Sequence, residues 1–389
     1  MNKKEVTEIR KQLKPEDTCL QRICGCYVDG HKQKISEMKE AFLSLPEEEV
    51  HKYSDLLRKA TSGQVGKNLL NLEFPLAEEA EGGRQAKLLA LRDSELKDDE
   101  LLEDFYDSVI STYLDAENYL ILLAFGSYDV PGKASDGMQM DDASEYVYNF
   151  LLCAICPVAL SKPGLVYDAT LNHFRDSIQD WMVQMPEVGF VFPAFNDRNT
   201  DIHNVLYYAK NPEILHPEIT EDLLGIDVPM TAGTQKKTFD AIIEETFSDS
   251  CDFEVAKTVH QNLNALLEGK KEEPEPTPLD KQECLRFVQS CGADADQIAH
   301  FEQAYDEEAG EDGALLASNL ASTRKFTVAS DDVKIAVDPT RTDLIETRVI
   351  DGVEYLLIPV TDNVTVNGIR IRASAGERRA DDAPEPGEI

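Results

Sequence analysis

The stretch NYLILLAF, residues 118–125, leaves little choice of conformation. It carries no charge, it is rich in branched and aromatic side chains, and turn chemistry follows it in SYDVPG. Such a run reads as a strand buried on both faces rather than one alternating between core and solvent. The residues before it read as a helix over about 98–114, where Leu102, Phe105, Tyr106, Val109, Ile110 and Tyr113 form a continuous apolar stripe at helical period. YVYNFLLCAICPVALSKPG, EVGFVFPAF and HNVLYYAK are further apolar runs, each closed by Pro, Asn or Asp. They are the expected strands of one central, mixed sheet with helices packed on it, and NHFRDSIQDWMVQM (172–185) is the expected helix among them. That order of elements points to the α+β class rather than to a doubly wound fold.

The flanking regions carry local signals. RICGCYV and HKQKI surround Asp29-Gly30, a dipeptide suited to a two-residue type I′ hairpin turn. Ile35, Met38 and Phe42 then fall at helical spacing, and Ser44 with Glu47 and Pro46 resembles a capping box ahead of a helix carrying Val50, Tyr53 and Leu57. Helices are expected near 234–247 and 252–268, the second with Val255, Val259, Leu263 and Leu266 on one side. EGKKEEPEPTPLDKQ has linker composition. Beyond it, two short helices surround Cys291-Gly292, with Asp294 or Asp296 as the second N-cap. Asp351-Gly352 and Asn367-Gly368 each join alternating residues into a hairpin. The expected organisation is an N-terminal helical and hairpin region (1–62), a central α+β domain (63–269), a charged linker (270–282), a helical and β-meander module (283–373) and a disordered acidic tail (374–389).

Composition narrows the function classes. The 389 residues include 38 Lys and Arg against 74 Asp and Glu, a formal net charge of −36. Such a field repels phosphate backbones and anionic head groups, which disfavours nucleic acid and membrane surfaces and favours basic protein partners or cations. No 18-residue apolar window occurs, so no transmembrane helix is expected. Eight cysteines without an apolar signal segment at the start read as reduced thiols, hence a cytoplasmic setting.

Two constellations carry chemistry. Cys19, Cys24 and Cys26 precede His31, and Cys153 and Cys156 form a second pair. Thiols at i and i+2 of a strand share a face and can chelate a metal; equally, small thiols pack as ordinary hydrophobes, and Cys153 and Cys156 would face opposite sides of a strand. The second constellation is FPAFNDRNTDIHN, in which Asn196, Asp197, Arg198, Asp201 and His203 follow a strand end, where sheet proteins place functional groups. Asp197, Asp201 and His203 are hard-oxygen and imidazole donors for a divalent metal that activates water, with Arg198 as an anion clamp. The same residues are also turn composition with a local ion pair. Ser161-Lys162 has the wrong spacing for a Ser-Lys nucleophile, FGSYDVPGKASDG lacks phosphate-loop spacing, and Trp181 is expected to be a core residue.

GCYVDG, LLCAICPVALSKPGL, GFVFPAFNDRNTDIHNVLYYAKNPE and RTDLIETRVIDGVEYLLIP together resemble a family of roughly 400-residue bacterial proteins, mostly from anaerobic Gram-positive bacteria, that is labelled only as a domain of unknown function. The resemblance runs up to the acidic tail and implies a bacterial cytoplasmic setting; it attaches no activity, cofactor or catalytic residue. With no complete catalytic signature, the expectation is an interaction or regulatory protein with a protein partner. A metal-dependent hydrolase at Asn196–His203 and a thiol-ligated metal or redox protein are the alternatives.

Overall fold

The apolar runs assemble as a sheet whose two faces are both covered. The computed structural model describes residues 1–114, 117–133, 139–273, 275–310, 313–321, 325–359, 364–366 and 369–370. The chain opens with α1 (Lys3–Lys11), β1 (Leu20–Val28), β2 (Lys34–Ala41), α2 (Glu47–Lys59) and β3 (Leu69–Glu73), followed by α3 (Arg84–Asp93) and α4 (Asp99–Thr112). Then come β4 (Asn118–Lys133), β5 (Gln139–Leu160), β6 (Leu165–Asp168), β7 (His173–Asp176), β8 (Trp181–Val183), β9 (Val188–Phe192), β10 (Ala194–Asn196), β11 (Asn199–Asp201) and β12 (Asn204–Ala209). The main sheet runs β2-β1-β4-β5-β9-β12-β3, and β8 pairs with the end of β5.

Every strand pair in that sheet is antiparallel. The expected mixed sheet is therefore corrected: sequential neighbours such as β1–β2 and β4–β5 run antiparallel, and the long-range pairings β1–β4, β5–β9 and β12–β3 are antiparallel as well. The α+β class stands. Period-two alternation sorts the side chains into two cores. Tyr119, Ile121, Leu123 and Phe125 of β4 face α3, α4 and a π-helical turn (Glu218–Leu223). Leu120, Leu122 and Ala124 face α1 and α2. The stripe expected on α4 is buried, and each such large side chain contributes on the order of 1.5–3 kcal/mol.

Several local readings differ from the structure. Residues 35–42 are the edge strand β2 and the start of a 3₁₀ turn, not a helix; Met38 and Phe42 join one core, whereas Ile35, an odd number of residues away, falls on the other face of the strand and is exposed. The β1–β2 connection is a five-residue loop in which Asp29 Oδ1 accepts from the amides of His31 and Gln33, both at 2.9 Å, and Lys32 takes the positive φ. Pro46 itself caps α2, so Glu47 is the first helical residue and no capping box forms; Ser44 donates to Ala41 O instead. Residues 172–185 are β7 and β8, because Val158–Leu160 of β5 supply a ladder partner for Val183–Trp181. Trp181 is accordingly exposed rather than in the core.

Beyond β12 lies a helical unit: α5 (Ala232–Phe247), α6 (Phe253–Gly269), α7 (Lys281–Ser290), α8 (Ala295–Glu308) and α9 (Ala317–Leu320). Its core draws Phe239, Ile242 and Leu263 from before residues 270–282, and Val288, Phe301 and Tyr305 from after them. Leu279, inside that segment, is fully buried, and β13 (Pro278–Leu279) pairs with β14 (Leu315–Leu316). Gly292 takes φ +85° after α7, and Asp294 caps α8 with a complete capping box. Next are β15 (Phe326–Ala329) with β16 (Lys334–Val337), and β17 (Glu346–Ile350) with β18 (Val353–Leu357). Asp351 and Gly352 both have positive φ, as a type I′ turn requires. β19 (Thr365–Val366) pairs with β20 (Ile369–Arg370). Their turn residues Asn367-Gly368 and the acidic tail fall outside the described residues. Among the described residues no helix is long and apolar enough to cross a membrane.

Candidate functional site

Pro193 follows β9 and has no amide to donate, which ends the sheet ladder there and lets the chain turn out as the small hairpin β10–β11. Asn196 pairs with Asn199, so Asp197 and Arg198 are its two turn residues, with φ of +52° and +54°. Asp tolerates the left-handed region, whereas Arg enters it at a cost and must be held. Three sets of contacts hold it. The Arg198 amide donates to Glu5 Oε1 (3.3 Å), and its carbonyl accepts from the Tyr146 hydroxyl. Its guanidinium lies on Glu8, with Nε 3.1 Å from Oε2 and Nη2 3.0 Å from Oε1, and also donates to Pro131 O at 3.1 Å. Tyr128 adds a hydroxyl to Glu8 at 3.0 Å, and burial, then Glu8, push its phenol well above the ordinary range. Glu5 and Glu8 are three apart on α1 and therefore face the hairpin together.

Asp201 is held as firmly. Its Oδ2 accepts from Asn196 Nδ2 (2.6 Å) and Asn204 Nδ2 (2.9 Å), and its Oδ1 accepts from the His203 amide (3.0 Å). Asn196 Oδ1 in turn accepts from the α-ammonium of Met1. His203 points elsewhere: its Nδ1 is 2.6 Å from Glu79 Oε1, and that carboxylate raises the imidazole above its ordinary value. Of the five residues singled out in the sequence, Asn196, Asp197 and Asp201 line a cleft of about 650 Å³, whereas Arg198 is committed to Glu8 and His203 to Glu79.

The cleft lies between the sheet and the helical unit. β3 and the hairpin form one wall; Met230, Gln235, Pro276 and Leu316 are part of the other. Its charged lining side chains are Glu5, Asp197, Asp201 and Glu275, all carboxylates. Burial lowers the proton affinity of the Met1 amine, and the same four carboxylates oppose that effect, which marks the point on which they converge. Asn319 ties the two walls together at the back, donating to Gly66 O (3.1 Å) and to Gln235 Oε1 (3.0 Å). Glu5, Glu8 and Glu275 escape sequence reasoning because they come from distant, unremarkable helical and linker segments; the i, i+3 spacing of the first two was the available signal.

The cysteines are dispersed by the register. Cys24 and Cys26 share a face, but Cys24 pairs with Leu123 of β4, and Leu123 with Cys153 of β5. Two strand spacings, about 9–10 Å, separate Cys24 from Cys153, far beyond what ligands of one zinc allow. Cys156 points to the opposite core from Cys153, as alternation requires. Burial raises Cys19 to about 12, Cys26 to about 11 and Cys156 to about 12, and raises Cys24 and Cys153 as well. Thiols in that state are poor nucleophiles and ligands. Among the described residues no group of three or more His, Cys, Asp or Glu side chains gathers as a metal-holding set.

No curated protein and no solved structure matches this chain. The model of one family, described as a domain of unknown function (DUF4317), matches residues 1–369, and the chain belongs to that family.

Proposed function

We propose that the chain is a bacterial cytoplasmic interaction protein that takes the cationic side chains of a basic protein partner into the cleft between its sheet and its helical unit. The observation that carries this reading is the charge of the cleft, whose four ionisable side chains are all carboxylates in a molecule of net charge −36. Field lines focus in a cleft and attract the opposite charge, and the four carboxylates outnumber the one α-ammonium, that of Met1, on which they converge. Asp201 and Glu5 are oriented by hydrogen bonds, whereas Asp197 and Glu275 are exposed and free to meet a ligand. Free thiols at all eight cysteines support the reducing compartment. The commitment of Arg198 to Glu8 and of His203 to Glu79 takes the clamp and the imidazole away from a hydrolytic site, so the binding reading is preferred to the metal-dependent hydrolase.

The test is calorimetric titration of the full chain with an octalysine peptide, in parallel with Asp197→Asn/Glu275→Gln. Both positions are exposed, so the variant keeps the fold. Binding should weaken at least about tenfold in the variant and fall with added salt, as rim charges do. Equal binding by both proteins would remove the cleft from the interaction. One equivalent of zinc or manganese in the purified protein, lost on Asp201→Asn, would restore the hydrolase instead.

A further inference from the structure

The connection from β5 to β9 is a long two-stranded arm, and among the described residues almost nothing covers it. Its base is the pairing of Val158–Leu160 with Val183–Trp181. Ser161 and Asp180 then bond to each other, as do Gly164 and Ser177, and β6–β7 forms the outer part. Leu165, Tyr167, Leu171, Phe174, Ile178 and Trp181 each leave more than half of their surface exposed. An isolated two-stranded ribbon with both edges open is marginal in water, and apolar side chains on such edges invite pairing. Among the described residues, β6 and β7 pair only with each other.

We propose that the arm is the twofold interface between two copies of this chain, packed arm against arm. Two observations select a second copy as the occupant. Charge is the first. Residues 161–186 hold Lys162 and Arg175 against Asp168, Asp176 and Asp180, a net charge of −1, and Arg175 is paired with Asp168 at 3.1 Å. The arm is thus a nearly neutral patch on a chain of net charge −36, a place where two like-charged molecules meet with little repulsion and where a basic partner finds no attraction. Area is the second. Three aromatic side chains of about 150–250 Å² each, a little over half exposed, give about 300 Å², and the exposed aliphatic side chains of both strands bring the arm to the order of 1,000 Å² of apolar surface. A standard interface buries about 800 Å² per partner. Identical open edges meet antiparallel about a twofold axis, which closes the assembly at two copies.

The sole tryptophan of the chain, Trp181, stands on the arm and reports on it directly. Sedimentation equilibrium of the full chain, followed in parallel by tryptophan emission, should give a dimer with a Kd of about 1 µM or tighter, and emission that moves to the blue over the same concentration range. Leu165→Asp/Ile178→Asp alters only exposed positions; it should raise the Kd about 100-fold or more and abolish the shift, with the far-ultraviolet dichroism unchanged. A monomer persisting at about 100 µM would overturn the proposal. So would a dimer that leaves Trp181 emission unmoved or survives the double substitution, since it would use another surface. Growth beyond the dimer would point to a heterologous contact, for instance arm on the exposed β17–β18 hairpin, and would equally overturn the twofold.

Discussion

At Arg198, backbone strain and side-chain pairing can be measured separately. Its φ of +54° carries a left-handed penalty of about 1 kcal/mol that glycine would not carry, while its guanidinium satisfies Glu8, whose side chain is only 22% exposed. Arg198→Ala should therefore cost about 1–3 kcal/mol in urea unfolding, most of it from the partly buried carboxylate left unpaired. Arg198→Gly loses the same ion pair but regains the backbone term, so it should be less harmful than alanine by up to about 1 kcal/mol. If glycine were no better than alanine, the turn would not be strained. His203 gives a second reading at this scale. Because Glu79 raises its folded-state affinity for a proton, the ion pair contributes fully below the unfolded value near 6.5 and is lost as pH rises through the folded value. Titration by NMR should place His203 above about 6.5, and Glu79→Gln should return it there. Its exposure keeps the effect on stability small.

Elements were legible in the sequence where burial was two-sided. Leu120 to Ala124 and Phe150 to Cys156 are continuous apolar runs because helices lie on both faces of β4 and β5, and no other element of that length and composition competes. Of the edge strand β2 only the start, Lys34 and Ile35 in the HKQKI limb of the hairpin, was legible as a strand, and the arm was not legible as one. Each leaves most of its surface in water, so its few apolar residues fall at spacings that a helix also produces, and only the ladder partners on β1 and β5 decide the matter. The candidate site was half legible: Asn196 to Asn199 read as a turn from composition, but its partners Glu5, Glu8 and Glu275 arrive through tertiary packing. Packing between elements makes its own prediction at Gly189 of β9. A Cβ built there would lie 2.6 Å from the backbone oxygen of Cys153 and 2.9 Å from Ala60 Cβ at the end of α2. Neither neighbour is a flexible side-chain tip, so Gly189→Ala should push α2 off the sheet and cost about 1–3 kcal/mol. The urea midpoint should fall with its m-value unchanged; an unchanged midpoint would mean that α2 does not seat on β9.

For the molecule as a whole, the dominant long-range force is repulsion among its own carboxylates. A net charge of −36 on 389 residues opposes compactness at every distance shorter than the screening length. Raising NaCl from 10 mM to 100 mM shortens that length from about 30 Å to about 10 Å, which removes most of the repulsion across the sheet and between its acidic surfaces. The same salt weakens exposed attractive pairs such as Lys236–Asp240 and Lys97–Glu95, but those are worth only about 0–1 kcal/mol each. Repulsion should win, and calorimetry should show Tm rising by several degrees over that range, equally in NaCl and KCl. A falling Tm would mean that ion pairs outweigh the charge surplus. Magnesium chloride at matched ionic strength separates screening from binding: an equal rise is screening, and an excess rise that Asp197→Asn/Glu275→Gln removes would be a cation held in the acidic cleft. That cleft is where the sheet and the helical unit meet, so a ligand neutralising it would stabilise the contact that Asn319 makes with Gly66 as well as the site itself.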